Sequence, residues 1–174
     1  MDLAVTLKQR LSSYPIFCMN EDLRVRILQI KDFCFSFDLR NSHEAYKWFH
    51  TNTPTTPIRH FCWFLKRLLT KRDQTLVACK GKEPVAICYL SRQGREDQCI
   101  LSISVALPSR RTGVGEYLLR YVTDVERNHG FKIFNASIHV DNLASLSLFR
   151  RVGFTNVNEV QTHDNFVLLK KEIL

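Results

Sequence analysis

Residues 105–115 read Val-Ala-Leu-Pro-Ser-Arg110-Arg111-Thr112-Gly113-Val114-Gly115, a set of types that can bind an anion. They follow a β-like apolar run and open an amphipathic helical stretch. Glycine has no Cβ, so the backbone there can approach a ligand closely and take a positive φ. The free N–H groups of a first helical turn point outward, and the helix dipole adds partial positive charge to them. Arg110 and Arg111 add full charges. A strand, a basic glycine turn and a helix therefore make a phosphate cradle. The same residues also fit a plain short connection with two solvated arginines.

Further along stands Asn142-x-x-Ser145-x-x-Leu148-Phe149-x-x-x-Gly153-Phe154. Asn142 is a good helix N-cap by type. His139 lies three residues earlier, at the end of an apolar β-like run, and its unperturbed pKa suits proton transfer near neutrality. The alternative is a histidine satisfied inside the structure. Ser137 shares its strand face. Glu96 and Asp97 are acidic but lie in a charged loop, where solvation accounts for them.

The pattern of apolar residues sets the elements that must hold these groups. Helical spacing at Leu3, Ala4, Leu7 and Leu11 predicts a helix over 2–14, ended before Pro15. Strands are expected over 23–30, 75–79, 85–91, 99–107, 133–140, 154–160 and 166–173. Helices are expected over 31–40, 58–69, 115–129 and 143–152. In the second of these, Phe61, Leu65 and Leu68 are expected on one face. Residues 51–57, with four threonines and two prolines, must be a loop. Gly130 and Gly153 fit helix C-termini.

At 174 residues and 45% hydrophobic content, one packed domain is the natural reading. No apolar run approaches the roughly twenty residues of a membrane span. Asp2 and the lack of an apolar leader argue against a signal peptide. Six cysteines are scattered, without Cys-x-x-Cys or zinc spacing, so no metal and a reducing cytoplasm are expected. The net charge of +8 is spread along the chain rather than gathered in a stripe, which argues against nucleic acid as the main partner.

Arg110-x-x-Gly113-x-Gly115 after a strand, followed by the Asn142 to Phe154 segment, resembles motifs A and B of the GNAT acyltransferases, which are acetyl-CoA-dependent N-acetyltransferases. The resemblance covers about residues 99–155 and is looser elsewhere. It implies an α/β fold: a mixed sheet of about seven strands flanked by about four helices. Residues 23–174 would form this domain and 1–22 an additional helical extension. It implies acetyl-CoA as co-substrate, with the pyrophosphate on the amides of Arg111, Thr112, Gly113, Val114, Gly115 and Glu116. Gly113 and Gly115 would permit the approach, and Arg110 would add charge. Ile103 and Val105 would offer backbone groups to the pantetheine arm, and Asn142 would contact it. His139 would lie near the cleft as the base, in a direct attack by a neutral amine without an acyl-enzyme.

Phe149 departs from the family, which often has a tyrosine there, thought to protonate the leaving thiolate. Ser145 or Ser147 could donate instead, directly or through water. A free thiol titrates near pH 8.5, so unassisted departure is not prohibitive. A Phe149→Tyr replacement is expected to be tolerated. The missing hydroxyl also keeps open a non-catalytic acyl-CoA-binding module.

Leu39-Arg40-Asn41-x-x-Glu44-x-x-Lys47-Trp48 followed by His60-x-x-Trp63-Phe64 is similar, more loosely, to a GNAT subgroup acting on nucleotide-linked amino sugars. Arg40, Asn41 and His60 would then bind hydroxyls or phosphate, and aromatic rings would stack on a sugar or base. Ordinary helix packing explains the same aromatics. The other enzyme reading is a protein Nα-acetyltransferase of the ribosomal-protein type. Many relatives dimerise, so a homodimer is one option; the sequence decides nothing on it.

Overall fold

Leu23 and Val25 are buried while Arg24 between them faces solvent, so the first strand is one-sided as its alternation requires. The structure, a computed structural model, describes residues 23–70, 73–92, 94, 96–157 and 165–173. The helix expected over 2–14, and the whole extension 1–22, lie outside the described residues.

Strand β1 (Leu23–Ile27) leads through a 3-10 turn (Ile30–Asp32) into α1 (Phe33–Asn41), α2 (His43–Tyr46) and α3 (Pro57–Leu69). Strands β2 (Gln74–Lys80), β3 (Glu83–Arg92) and β4 (Gln98–Val105) follow, then a 3-10 turn (Leu107–Ser109) and α4 (Val114–Asn128). The chain ends with β5 (Ile133–His139), α5 (Leu143–Arg151), β6 (Thr155–Asn156) and β7 (Phe166–Glu172).

The differences from expectation have local causes. The helix expected from residue 31 starts as a 3-10 turn. Its Asp32 carboxylate accepts the Gln29 amide at 2.8 Å and two Arg26 bonds at 2.6 and 2.7 Å. The strand expected to reach residue 107 ends at Val105, because Pro108 has no N–H for a ladder. The strand expected over 154–160 is formed at Thr155–Asn156, and residues 158–160 lie outside the described set. Helix α3 buries His60 and Phe64, with Leu68 packed beside them. Phe61 is 42% exposed, so the expected face is rotated.

The sheet has seven strands in the order β1-β2-β3-β4-β5-β7-β6, antiparallel apart from β4–β5. Helices α4 and α5 cover one face over the larger apolar cluster, which includes Leu118, Val122, Phe134, Phe149 and Phe154. Helices α1 and α3 cover the other, over Leu39, Phe64, Val77 and Ile87. Among the described residues Cys79, Cys88 and Cys99 are buried free thiols, while Cys34 and Cys62 are free and exposed.

Candidate active site

The glycine turn is built by two left-handed residues. Arg111 has φ 61° and Gly113 φ 84°. Between them Thr112 donates its hydroxyl to the Ser109 carbonyl at 2.8 Å. Gly113 becomes the N-cap of α4 and offers no capping side chain. The amides of Val114, Gly115 and Glu116 therefore emerge from the helix without an intrahelical acceptor. A Cβ on Gly113 would meet no atom within 4 Å, so the space before these amides is open. That open cradle of donors at a positive helix end fits a phosphate.

The two glycines have different duties. A Cβ on Gly115 would lie 3.2 Å from Leu148 Cδ2 and 3.3 Å from Val105 Cγ2. Gly115 is small so that α4 can close on β4 and α5, a packing duty beside the ligand approach expected of it. Arg110 turns its Nε to the Val105 carbonyl at 3.1 Å and braces the turn. Arg111 is exposed. The Glu116 carboxylate is drawn toward Arg120 at 3.0 Å and Arg151 at 3.6 Å, away from its own amide's role.

A wedge opens beside this turn. Strands β4 and β5 pair only at Gln98↔Ile133, Cys99↔Phe134 and Ile100↔Asn135. Beyond Ile100, β4 stays paired to β3 as far as Val105↔Ala86. Its β5-facing edge, which includes Ile103 and Val105, thus has no strand partner among the described residues. Asn142 caps α5, its Oδ1 accepting the Ser145 amide at 3.2 Å. Ser145 is half-buried in that first turn.

Phe149 is only 2% exposed, and its ring meets Phe154 edge-on at 4.9 Å. It belongs to the apolar core. A tyrosine hydroxyl there would need a buried partner, which counts against the expectation that Phe149→Tyr is tolerated.

On the opposite face of the sheet His139 is partly buried at the end of β5. Its Nδ1 lies 3.2 Å from the Asp141 amide, which donates to it and places the ring proton on Nε2 in the neutral form. Trp48 and Phe166 flank the ring at 5.5 and 5.3 Å between centroids. Sequence reasoning passed over His50. Its ring stacks on Phe166 at 3.8 Å, and its Nε2 lies 3.4 Å from Ser137 Oγ. Glu96 and Asp97 precede β4, at the end of the sheet away from the wedge.

A cavity of about 430 Å³ lies between α1, α3, the α2–α3 loop and strands β3 and β4. Arg40, Phe49, Thr51, Arg59, His60, Trp63, Arg67, Tyr89, Ser102 and Ser104 are among its lining residues. His60 is bound through Nε2 to Ser36 Oγ at 3.0 Å, and burial, with Arg40 nearby, holds its pKa below the ordinary value. Tyr89 is pushed up to about 12, chiefly by burial, so its hydroxyl keeps its proton. Asn41 does not line the cavity. Both ends of its amide bind the Thr55 backbone, at 3.0 and 2.8 Å, so it holds the loop instead of a substrate. Among the described residues no helix is long and apolar enough to cross a membrane.

No curated protein matches the chain by sequence. Solved structures do resemble it. The Salmonella typhimurium protein yncA with its cofactor acetyl-CoA has a TM-score of 0.71 at 16% identity, over 87% of this chain and 94% of that one. Ribosomal-protein-alanine N-acetyltransferase of Brucella melitensis gives 0.69 at 20%, over 86% and 99%. Spermidine N-acetyltransferase of Vibrio cholerae, in complex with CoA and spermine, gives 0.74 at 13%, over 87% and 94%. At these identities they establish the shared fold. The acetyltransferase (GNAT) family matches residues 34–154, which span the wedge, the glycine turn and the α5 segment; the chain belongs to that family and is a GNAT-type N-acetyltransferase.

Proposed function

We propose that the protein transfers the acetyl group of acetyl-CoA to a primary amine seated in the α1–α3 cavity. One observation carries this reading: the open cradle capped by Gly113 and the unpaired edge of β4 meet at the end of the sheet where Ser102 and Ser104 line the cavity. Acetyl-CoA supplies an activated thioester. The amides of Val114, Gly115 and Glu116 would hold its pyrophosphate, with Arg110 and Arg111 adding positive potential. The free edge at Ile103 and Val105 would accept the pantetheine amides as an added strand.

The amine must be neutral to attack a carbonyl. His139 is the proposed acceptor of the amine proton, directly or through water; it takes the proton at Nδ1 when that nitrogen releases the Asp141 amide, because Nε2 already carries the ring proton. Ser145 on α5 is the proposed donor to the departing sulfur. Phe149 carries no hydroxyl for that step. The proposed reaction uses no metal, and the proposed setting is the cytoplasm, a reading supported by the free thiols among the described residues.

For the acceptor, the Arg40-to-Phe64 pattern favours an amino sugar linked to a nucleotide. Arg40 and His60 line the cavity, and Trp63 and Tyr89 give it flat walls. A peptide N-terminus is the second reading, favoured by the likeness to the Brucella melitensis enzyme. A thermal-shift screen separates them. Acetyl-CoA alone is expected to stabilise the protein, and coenzyme A with one nucleotide amino sugar to stabilise it further. Further stabilisation by peptides only would move the assignment to the second reading. No response to acetyl-CoA would overturn the function.

A further inference from the structure

Arg40 enters the cavity from the end of α1 with its charge incompletely matched. Nη2 donates to Thr51 Oγ1 at 2.6 Å, and the guanidinium carbon sits 4.3 Å above the Phe49 ring. Nη1 is shielded from solvent and has no hydrogen-bond partner. Buried polar atoms are nearly always paired, so such an orphan asks for an acceptor that binds from outside the fold. Arg59 lines the same cavity. Burial lowers the Arg40 pKa from its ordinary value, and the like charge of Arg59 lowers it further. Arg67 is already matched: it donates to the Leu90 carbonyl at 3.0 Å and Ser91 Oγ at 2.7 Å, and lies 3.5 Å from the Asp73 carboxylate. Among the described residues, no Asp or Glu lines the cavity.

We infer that the cavity selects anionic acceptors: Arg40 and Arg59 together take a phosphate or carboxylate carried by the amine substrate. The anion replaces the Thr51 hydroxyl as acceptor for Nη2 and supplies one for Nη1. Phosphate and carboxylate each present two acceptor oxygens that match the planar two-donor fork of a guanidinium. Polyamines are disfavoured by the same charges. This rests on the acetyltransferase reading above and adds the substrate class to it.

Calorimetry on protein saturated with coenzyme A, so that the α4 terminus is filled, tests the inference. The probes are uridine diphosphate, L-glutamate and spermidine. At least one anion is expected to bind, and spermidine to give no heat. Arg40→Gln and, separately, Arg59→Gln are expected to weaken that anion at least tenfold with acetyl-CoA affinity unchanged. Arg59 is exposed on α3, so its replacement leaves the fold intact. Binding of uridine diphosphate alone assigns phosphate, and of glutamate alone carboxylate; either supports the site. Silence with both anions, binding of spermidine, or unchanged anion affinity in Arg59→Gln overturns it. If acetyl-CoA binds the native protein and both anions fail, the acceptor assignment alone falls. If acetyl-CoA itself fails, the enzyme reading falls first.

Discussion

Replacing Gly113 by aspartate separates folding from cofactor binding. Gly113 sits at φ 84°, where most side chains cost about 1–2 kcal/mol. Aspartate is among the residues that tolerate this region, and it is also a preferred N-cap. Nothing in the fold lies within 4 Å of its Cβ. The expected stability cost is therefore about 1 kcal/mol, a melting shift of about 2–4 °C for a chain of this length. Binding is another matter. The carboxylate would point into the open space before the Val114, Gly115 and Glu116 amides and compete for them. At an effective dielectric of about 20, two like charges about 5 Å apart repel by about 3 kcal/mol. That is about a hundredfold loss of acetyl-CoA affinity. Gly113→Asn, nearly the same size without the charge, is expected to retain about ten times more affinity than the aspartate variant. Calorimetry with acetyl-CoA, alongside a melting curve, reads both effects. Affinity within about twofold of the native value in a folded Gly113→Asp protein would refute the placement of the pyrophosphate.

Three further outcomes follow from the geometry. Asp32→Asn breaks a carboxylate that is 2% exposed and bound to Arg26 at 2.6 and 2.7 Å; it is expected to destabilise by about 3–5 kcal/mol in urea unfolding. Phe149→Tyr places a hydroxyl in the core beside Phe154 and is expected to cost about 1–3 kcal/mol of stability without raising turnover, checked by melting and by coenzyme A release. His60 has a folded pKa below its unfolded value near 6.5, so stability from the neutral ring is complete above that pH and is lost as pH falls below it. His60→Gln is accordingly expected to flatten the decline in melting temperature as pH falls below about 6.5.

The parts legible in the sequence are those encoded locally. Gly113 and Arg111 carry the turn conformation in their own positions, and Asn142 caps α5 from three residues away. Gly130 and Gly153 stop their helices with φ of 93° and 94°. The face of α3 was misread because Ile58, Phe61 and Leu69 are apolar yet exposed, while polar His60 is buried on Ser36. Periodicity ranks residues by hydropathy and cannot see a hydrogen bond made across 24 residues. His50 escaped for the same reason: its partner Ser137 is 87 residues distant. Asn41 has the side chain of a ligand contact. Only the three-dimensional path of residues 51–57 reveals that Thr55 consumes both of its amide functions.

The short junction between β4 and β5 divides the sheet into two leaves. One leaf, β1 to β4, is an antiparallel meander of sequence neighbours, and the other comprises β5, β7 and β6. Three rungs join them, at Gln98↔Ile133, Cys99↔Phe134 and Ile100↔Asn135, and α4 and α5 lie across the seam on the larger apolar cluster. Among the described residues, strand pairing across the seam is thus confined to one end, and the other end is held by helix packing and by the contacts of Trp48 and His50 with His139, Ser137 and Phe166. Relative tilting of the leaves costs few hydrogen bonds, and its amplitude grows with distance from the rungs. The glycine turn follows β4 at that open end. A ligand spanning from that turn to β5 rivets the leaves together, so its grip is transmitted as stiffness to β7 and β6, which it never touches.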